Sequence, residues 1–440
     1  MKRLLLILLL LPVSVEAQII TTIAGNDTCG YSGDNGLALE AHVNPTFSIT
    51  ADKFGNIYFS DYSNNVIRKI NTSGIITTFA GTGIDNCSLE EGLATSIPIS
   101  IPYCVTTDTF GNVYFNSGMS LIKKVDTLGN ETNIVGNGVA GFSGDGGPAT
   151  VASLYGNTGG GDFFKVADNG DIFIADFGNN RVRKASASSG IITTIAGTGV
   201  AGYNGDRISA DTAELYLPLS LALDHLGNVF VGDQNNYRIR KIMPNGFIET
   251  IIGNGFACIG SGGENIHADS ACINSLFCVA TDDSNNIYIC DQYYRTIRKI
   301  NYSDSIVHTI VGGGSSLGDG GPPLLAEIYA LGMVINKYGN IYIADFGNCR
   351  VREVKYNDEL AQNFYIRNTN VNIFPNPATT QLTINAQNKI NDIAIINLLG
   401  QTVYTNQYNS SQIQIDVATL PAGIYFVKIN GSEVRKFVKQ

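Results

Sequence analysis

An aspartate and an arginine recur in five stretches of the chain, with the arginine always seven residues after the aspartate. The pairs are Asp61 and Arg68, Asp176 and Arg183, Asp233 and Arg240, Asp291 and Arg298, and Asp345 and Arg352. A sixth stretch has Asn116 and Lys123 instead. Such residues could form a charged ring around a ligand. We favour another interpretation, in which the acid caps a turn and the arginine is a partly solvated strand residue, because each copy needs the same fold chemistry.

Other residues that could do chemistry are scattered. The histidines belong to no H-E-x-x-H, G-x-S-x-G or Cys–His pattern, and they are His42, His225, His267 and His308. Glycine-rich loops at 138–147 and 199–205 lack the Lys-Ser/Thr and the helix of a phosphate cradle. Residues 143–147 offer one carboxylate, too few for a calcium site. We therefore predict no catalytic residue, no metal and no cofactor.

The elements around the acid and the arginine are clearest in residues 168–184. A polar turn holding Gly170 precedes a β-branched and aromatic run at 172–175, and a second turn at 176–180 leads into another strand at 181–184. Residues 190–197 alternate apolar and threonine side chains, as a half-buried outer strand does. With the apolar run before the first turn, the unit is a four-stranded antiparallel meander.

The meander is repeated six times. Its first-turn position is glycine in five copies and Asn285 in the other, and the glycines are Gly55, Gly111, Gly170, Gly227 and Gly339. Residues 19–25 nearly repeat the outer strand at 191–197, whereas the sixth copy has no outer strand after it. The sequence therefore predicts an all-β, six-bladed β-propeller whose ring is closed by the N-terminal strand.

These repeats resemble NHL repeats, on the evidence of VADNGDIFIADFGNNRVRK, LALDHLGNVFVGDQNNYRIRK and INKYGNIYIADFGNCRVRE, and the resemblance covers residues 19 to about 355. It implies a propeller used as a binding platform, with some related propellers acting as lyases or hydrolases. The innermost strand runs SIT, VTT, KVA, LAL, VAT and MVI carry no carboxylate for a channel metal.

We predict that a binding face lies where the second turns and the inter-blade loops emerge together. Exposed aromatic residues among glycine and polar residues suit protein or glycan recognition. The turns contribute Tyr62, Phe177, Tyr237, Tyr293 and Phe346, and the loops contribute Tyr31, Phe142 and Tyr203. Packing of these residues on neighbouring loops is the alternative.

The N-terminus and the charge indicate the compartment. Residues 1–17 have two basic residues, an apolar run and a small-residue end, which predicts a signal peptide cut after Ala17. No later stretch is apolar enough to span a membrane. A net charge of −10 argues against nucleic acid as a partner. We expect a monomer without a transmembrane segment, exported through the periplasm.

Eight cysteines fit an oxidising compartment. Pairs Cys87–Cys104 and Cys258–Cys272 could each close an inter-repeat loop, and Cys29–Cys349 could form if the chain ends meet. Cys278 and Cys290 should lie on neighbouring strands, and Cys290 fits a buried thiol.

After a propeller at 18–357 and a linker at 358–371, residues 372–440 predict a small β-sandwich of about seven strands. This segment resembles the type A C-terminal sorting domain of type IX secretion cargo in Bacteroidetes. The residues that carry the resemblance are Pro375, Asn376, Pro377, Gly400, Pro421 and Gly423. It implies the type IX machinery as a partner and a location on the outer cell surface or outside the cell.

Three functions stay open at this point. The first is a surface or secreted module that recognises a protein or glycan. The second is an extracellular lyase or hydrolase of glycans or lactones, which should show two or more ionisable side chains converging at one mouth of the channel. The third is an architectural surface protein.

Overall fold

The computed structural model describes residues 18–156, 161–257, 263–274, 276–356, 372–397, 402–430 and 433–440. The predicted signal peptide and the predicted linker from residue 358 therefore lie outside the described residues. Gln18–Lys355 form one compact unit, and the chain from Tyr356 to Gln440 belongs to a second unit.

The first unit is built from short strands. In chain order they are β1 (Gln18–Ala24), β2 (Pro45–Ala51), β3 (Ile57–Asp61), β4 (Val66–Ile70), β5 (Ile76–Ala80), β6 (Gly92–Leu93), β7 (Val105–Thr107), β8 (Val113–Ser117), β9 (Leu121–Val125), β10 (Asn130–Val135), β11 (Phe164–Val166), β12 (Ile172–Asp176), β13 (Arg181–Ala185), β14 (Ile192–Ala196), β15 (Ile208–Ser209), β16 (Pro218–Leu223), β17 (Val229–Asp233), β18 (Arg238–Ile242), β19 (Phe247–Ile252), β20 (Ile266–His267), β21 (Leu276–Thr281), β22 (Ile287–Asp291), β23 (Thr296–Ile300), β24 (Ile306–Gly312), β25 (Ala330–Ile335), β26 (Ile341–Asp345) and β27 (Arg350–Tyr356).

These strands form six antiparallel sheets, which are the blades of a propeller. Blade 1 is β2–β5, blade 2 is β7–β10 with β6, blade 3 is β11–β14, blade 4 is β16–β19 with β15, blade 5 is β21–β24 with β20, and blade 6 is β25–β27 with β1. In blade 6 the order is β1-β27-β26-β25, so the N-terminal strand is the outer strand of the last blade. The predicted closure of the ring is confirmed.

The long inter-blade loops cover the outer edges of the sheets. In blades 2, 4 and 5 a two-residue strand of the loop pairs with the outermost strand, and in blade 1 Leu37 makes an isolated bridge to Ile75. Five loops also contain a 3-10 turn that buries a small residue or a proline: Ala38–Glu40, Ala94–Ser96, Ala149–Val151, Ala210–Thr212 and Pro323–Leu325. An uncovered outer strand would present unpaired backbone groups to other chains.

The turns within each blade follow the sequence closely. The first-turn glycine is left-handed in all five copies, for example with φ +84° at Gly170, and Asn285 has φ +62°. In four blades the second turn is a 3-10 turn, at Tyr62–Asn64, Phe177–Asn179, Gln234–Asn236 and Phe346–Asn348. The next residue is left-handed, as at Asn180 with φ +52°. The core consists of the aliphatic side chains that face the neighbouring blade, such as Ile174, Val182 and Leu221.

The second unit is one five-stranded antiparallel sheet that folds over on itself. Its strands are β28 (Asn372–Phe374), β29 (Gln381–Asn397), β30 (Thr402–Asp416), β31 (Gly423–Ile429) and β32 (Glu433–Lys439). β29 and β30 are long, and their register is interrupted between Asn385 and Ile390. The first half of β29 pairs with β28, and the second half pairs with β31. Counting the two halves of each long strand separately gives the seven strands of the predicted sandwich, which encloses residues such as Ile384, Ile395 and Val427.

Candidate functional site

The repeated arginine is buried, so its predicted partial solvation is wrong. In blade 3 the Arg183 side chain has no exposed surface. Its Nη1 lies 3.4 Å from Asp176 Oδ2, and its Nη2 lies 2.7 Å from Oδ1 of Asp145 in the preceding loop. Asp145 also accepts a hydrogen bond from the Thr194 hydroxyl at 2.6 Å. The guanidinium therefore ties the strand, the second turn and the loop of one blade together.

The sequence predicts that the aspartate caps its own turn. In blade 5 Asp291 Oδ1 does accept a hydrogen bond from the Tyr294 N–H of that turn, at 3.4 Å, but in blade 3 the backbone contact lies elsewhere. Asp176 Oδ1 accepts a hydrogen bond from the backbone N–H of Tyr155, where the chain enters the blade, at 2.7 Å. It also accepts one from Asn179 Nδ2, again at 2.7 Å. Burial raises the pKa of the equivalent Asp61 and Asp233 to about 6, although their hydrogen bonds and the arginine lower it. These acids thus make contacts that stabilise the fold.

The third member of this network is the acid in the inter-blade loop, which was not predicted from the sequence. It accepts from the outer-strand threonine in five blades, where it is Asp34, Asp145, Asp206, Glu264 and Asp319. The signal was the recurring glycine followed by an acid in loops such as 143–147. In blades 1, 3, 4 and 6 the buried arginine thus pairs with both the buried aspartate and a partly exposed loop acid, and each blade has a network of its own.

Blade 2 replaces the network with different residues. Lys123 Nζ contacts Glu131 Oε1 at 2.5 Å, and both side chains are fully buried. Asn116 Oδ1 accepts from the backbone N–H groups of Tyr103 and Cys104 at 2.7 and 2.8 Å. The amide therefore takes over the backbone contacts, while Glu131 neutralises the cation.

The three loop aromatics of the predicted binding face pack on arginines. Phe142 lies 4.0 Å from the Arg181 guanidinium, measured to the ring centroid, and Tyr203 lies 3.9 Å from that of Arg238. Tyr31 lies 4.9 Å from Arg68, and its hydroxyl is 2.7 Å from the Thr78 hydroxyl. Each ring packs on arginines of its own blade. One edge of each ring stays partly exposed.

The five turn aromatics occupy different positions. Tyr62 packs edge-on against Phe47 at 5.9 Å and also contacts Tyr103 at 5.1 Å. Phe177 is half-buried, and Tyr237 takes the left-handed position that ends its turn. Tyr293 and Phe346 are exposed, at 63% and 41%. The turns and loops do emerge together, since Asn179 Nδ2 donates to the carbonyl of Gly141 in the loop. We call this side the loop face.

A carboxylate lies in the middle of the ring, although the innermost strand runs suggested none. Asp162 precedes β11, and its backbone N–H donates to the Phe277 carbonyl of blade 5 while its carbonyl accepts from Leu221 N–H of blade 4. Its side chain is fully buried and accepts from the thiols of Cys104 at 3.8 Å and Cys278 at 3.4 Å. Asp162 thus contacts blades 2, 4 and 5. It lies three residues before the innermost strand run KVA at 165–167.

Lys165 joins this carboxylate to the channel opening. Its Nζ lies 2.8 Å from Asp162 Oδ2, and its side chain is 20% exposed. Burial by itself lowers the pKa of Lys165, but the Asp162 carboxylate and the neighbouring cysteines raise it overall. The ammonium therefore stays protonated. Lys165 is one of the residues that line a cavity of about 270 Å³, and the lining comes from the innermost strands of all six blades.

The turns around this opening display large apolar side chains. They follow the innermost strands directly, and we call this side the turn face, defined by residues 52–56, 108–112, 167–171, 224–228, 282–286 and 336–340. In blade 1, Asp52 Oδ1 accepts from the N–H groups of Phe54 and Asn56, both at 2.9 Å. This turn fixes the backbone of Phe54 while leaving its ring outside.

The same position is aromatic in three consecutive blades. Tyr338 of blade 6 is 74% exposed, Phe54 of blade 1 is 62% exposed and Phe110 of blade 2 is 68% exposed. We call these residues the aromatic arc. Lys337 and Lys53 lie 5.0 and 5.1 Å from the rings of Tyr338 and Phe54. Blade 4 has Leu226 here, whereas blades 3 and 5 have Asn169 and Ser284. From the sequence, these residues are predicted only to lie in turns.

The cysteines confirm one pairing and contradict another. Cys29 and Cys349 form a disulfide that links the segment after β1 to the second turn of blade 6. Cys87 and Cys104 are separate thiols, because Cys104 points to Asp162 while Cys87 Sγ lies 3.2 Å from the Ser117 carbonyl. Cys272 is disulfide-bonded, but its predicted partner Cys258 lies outside the described residues. Cys290 is a buried thiol, as expected.

Residues of the C-terminal motif hold the two ends of the second unit together. Asn376 Oδ1 accepts from Val438 N–H at 2.9 Å, and the Ala378 N–H donates to the Val438 carbonyl at 2.8 Å. The Tyr425 hydroxyl donates to the Pro421 carbonyl at 2.9 Å. Gly400 lies outside the described residues.

Residues 372–440 match the family model of the secretion system C-terminal sorting domain. The second unit is a sorting domain of this family. The sorting domain marks the protein as type IX secretion cargo, exported to the cell surface or outside the cell. Among the described residues, no helix is long and apolar enough to cross a membrane.

The propeller resembles known proteins at low identity. Mouse teneurin-1 is 26% identical over 239 residues, which cover 49% of this chain but only 8% of teneurin-1. A Bacteroides thetaiotaomicron protein of unknown function matches with a TM-score of 0.55 and 19% identity over 77% of this chain and 76% of its own. An auxiliary nutrient binding protein of the same species matches with a TM-score of 0.54 and 12% identity over the same shares. These similarities support the fold.

Proposed function

We propose that the exported propeller is a recognition module that binds an extracellular glycan or protein through its turn face. The observation that carries this proposal is the aromatic arc. Three large rings, Tyr338, Phe54 and Phe110, are more than 60% exposed on consecutive blades. A soluble protein gains nothing in stability from such rings, whereas a partner that covers them gains buried apolar area.

Two further observations support this face. Its turns are held by side-chain to backbone hydrogen bonds, so the rings are presented on a backbone that needs little ordering when a partner binds. The rings also lie three residues beyond strand positions that line a cavity, and concave sites are the usual places for ligands. The auxiliary nutrient binding protein that shares the fold is named for binding a nutrient.

A glycan and peptide array probed with the full-length mature chain tests this proposal. We expect wild-type binding to a defined set of probes, and loss of that binding in the variant Phe54→Ala/Phe110→Ala/Tyr338→Ala. The matched control is Tyr293→Ala/Phe346→Ala on the loop face, which should bind as the wild type does. Loss in the control alone would move the site to the loop-face aromatics, and no binding by any folded form would refute a recognition role.

An enzyme is the second candidate, because Asp162 and Lys165 converge in the channel. Only Lys165 reaches the opening, however, and the raised pKa of its ammonium leaves no neutral amine to act as nucleophile or base. Assays of glycan and lactone cleavage with wild type and Lys165→Gln test this candidate. Turnover by the wild type that the variant lacks would establish it.

A further inference from the structure

The opening at the turn face has the size of a single sugar residue. Its volume is about 270 Å³, and at about 30 Å³ per water it would hold roughly nine water molecules. Pockets for drug-sized ligands are larger, from about 300 to 1,000 Å³. The lining residues come from all six innermost strands, so the cavity lies on the axis of the ring.

Lys165 is the single charged residue among those that line this cavity. The Lys165 ammonium has three N–H donors. Within the described part of the chain, it donates one hydrogen bond, to Asp162 Oδ2. Asp162 is fully buried beneath it and is occupied by two thiols as well. The lining of the cavity therefore includes the residue that carries the cation and not the one that carries the carboxylate, and a ligand oxygen with negative charge would complete the ammonium's contacts.

The remaining lining suits a hydroxyl-rich ligand. The hydroxyls of Thr107 and Thr281 donate to carbonyls of the neighbouring blade, Ala51 at 3.1 Å and Leu223 at 2.7 Å. Thr107 also pairs with the Thr50 hydroxyl at 3.3 Å, so Thr107 keeps one lone pair as an acceptor, and the oxygen of Thr281 can also accept. Each innermost strand pairs with its sheet on one side only. Its other edge faces the axis with backbone donors and acceptors. Aliphatic side chains such as Val166 and Val334 lie between these polar groups.

The aromatic arc continues the cavity outward. Phe54, Phe110 and Tyr338 each follow a lining residue by three positions, and those residues are Ala51, Thr107 and Ile335. Rings around a polar pocket can stack on the flat faces of successive sugars. Lys53 and Lys337 place positive charge beside two rings of the arc. The turn face also carries seven aspartates, of which Asp52 and Asp108 accept hydrogen bonds within their own turns. An acidic chain would therefore follow the arc rather than the turns of blades 3 and 5, which carry Asp168, Asp171, Asp282 and Asp283.

From this arrangement we infer that the channel opening binds a uronate residue of an acidic glycan, with its carboxylate on Lys165 and neighbouring sugars on the aromatic arc. The inference rests on the proposed recognition function and names its ligand class. An acidic glycan is favoured over an acidic peptide because the pocket is isolated, polar and single-residue in size. A peptide strand would need a continuous edge or an apolar groove.

Calorimetric titration of the full-length mature chain tests this inference. The probes are trisaccharides of galacturonate, glucuronate and mannuronate, each compared with its carboxyl-reduced form. We expect at least one acidic trisaccharide to bind about tenfold more tightly than its reduced form. This preference should shrink between about 0.05 and 0.5 M NaCl, because salt screens the charge.

Variants at the pair assign the preference to Lys165. Lys165→Gln should abolish the preference for the acid and keep the weaker binding of the reduced trisaccharide. Because Lys165→Gln leaves the Asp162 carboxylate unpaired, Asp162→Asn/Lys165→Gln is the second variant; it removes both charges and should show the same loss. Phe54→Ala should weaken the acidic and reduced forms alike.

Three outcomes would overturn the inference. They are equal affinity for the acidic and reduced forms, an acid preference that survives in the double variant, and binding of acidic peptides in place of every uronate. In each case specific binding to other array probes that needs the aromatic arc would leave the recognition function standing. If no such binding is found, both the uronate inference and the recognition function are refuted.

Discussion

In blade 3 the buried strand cation is Arg183, which pairs with the loop acid Asp145 and with Asp176. Asp176 thus supplies both a buried negative charge and the acceptor for a backbone N–H group. In blade 2 the cation is Lys123, its charge partner is Glu131 on β10, and the backbone acceptor is the amide of Asn116. The two roles that Asp176 combines in blade 3 are thus divided between Glu131 and Asn116 in blade 2. Blade 2 shows that the position needs a backbone acceptor and a neutralised cation, and neither need involves a ligand.

The largest loss of stability should come from removing the backbone acceptor and the buried charge partner of the arginine together. Asp176→Ala leaves Arg183 with the partly exposed Asp145 as its one remaining acid and leaves the Tyr155 N–H without its acceptor, and we expect the two losses together to cost about 3–5 kcal/mol of unfolding free energy. Asn116→Ala in blade 2 is the matched control and should cost about 1–3 kcal/mol, because the Lys123–Glu131 pair stays intact. Urea unfolding of the full-length mature chain, followed by circular dichroism since the chain has no Trp, measures both. Equal losses would mean that the buried charge pair contributes nothing beyond the backbone contact.

Converting blade 3 into the pattern of blade 2 should have the next largest effect. Asp176→Asn keeps the acceptor but removes a charge, and we expect it to cost about 1.5–3 kcal/mol. Ile192 of β14 corresponds to Glu131, since each is paired with the last residue of the preceding strand and each is buried. The variant Asp176→Asn/Arg183→Lys/Ile192→Glu should therefore be more stable than Asp176→Asn. A less stable triple variant would show that the blades are not interchangeable.

The sequence predicted the blades, their number and their closure because those depend on local periodicity and on one unmatched strand at each end. The left-handed glycines and Asn285 were predictable for the same reason. Burial of Arg183 was not, because it depends on a loop acid 38 residues earlier in the chain that accepts its hydrogen bond. Asp162 was not predicted because it reaches the axis through the path of the residues just before β11, which bond to the backbones of blades 4 and 5. Gly161 allows this entry, since a Cβ there would lie 2.9 Å from Leu219.

A smaller, pH-dependent effect separates blade 4 from blade 2, whose Asn116 does not titrate. The pKa of Asp233 is raised by burial from 3.8 to about 6, so between these values the folded chain holds a proton that the unfolded chain has lost. Its contribution to stability is present below pH 3.8 and is lost as the pH rises through 6. The stability of wild type minus that of Asp233→Asn should therefore fall as the pH rises from 4 to 6 in thermal unfolding experiments. A difference that rises across this range would contradict the assignment.

The smallest effect should come from the exposed neighbour of the buried arginine. Lys184 follows Arg183 and contacts Asp171 at 3.1 Å, but its side chain is 34% exposed. Lys184→Ala should lower the unfolding free energy by no more than about 1 kcal/mol, because water and salt screen this pair. Repeating the unfolding in high salt gives the check, since the difference between wild type and variant should shrink further. A loss as large as that of Asp176→Ala would erase the contrast between the buried and exposed charges.

The most direct test of the account compares ligand binding by the blade 3 conversion with binding by the turn-face variant on the same array. If the repeated charges serve the fold and recognition lies at the turn face, Asp176→Asn/Arg183→Lys/Ile192→Glu binds the wild-type set of probes. Phe54→Ala/Phe110→Ala/Tyr338→Ala, equally folded, then binds none of them. Loss of binding in the folded blade 3 conversion together with normal binding by the turn-face variant would contradict the account.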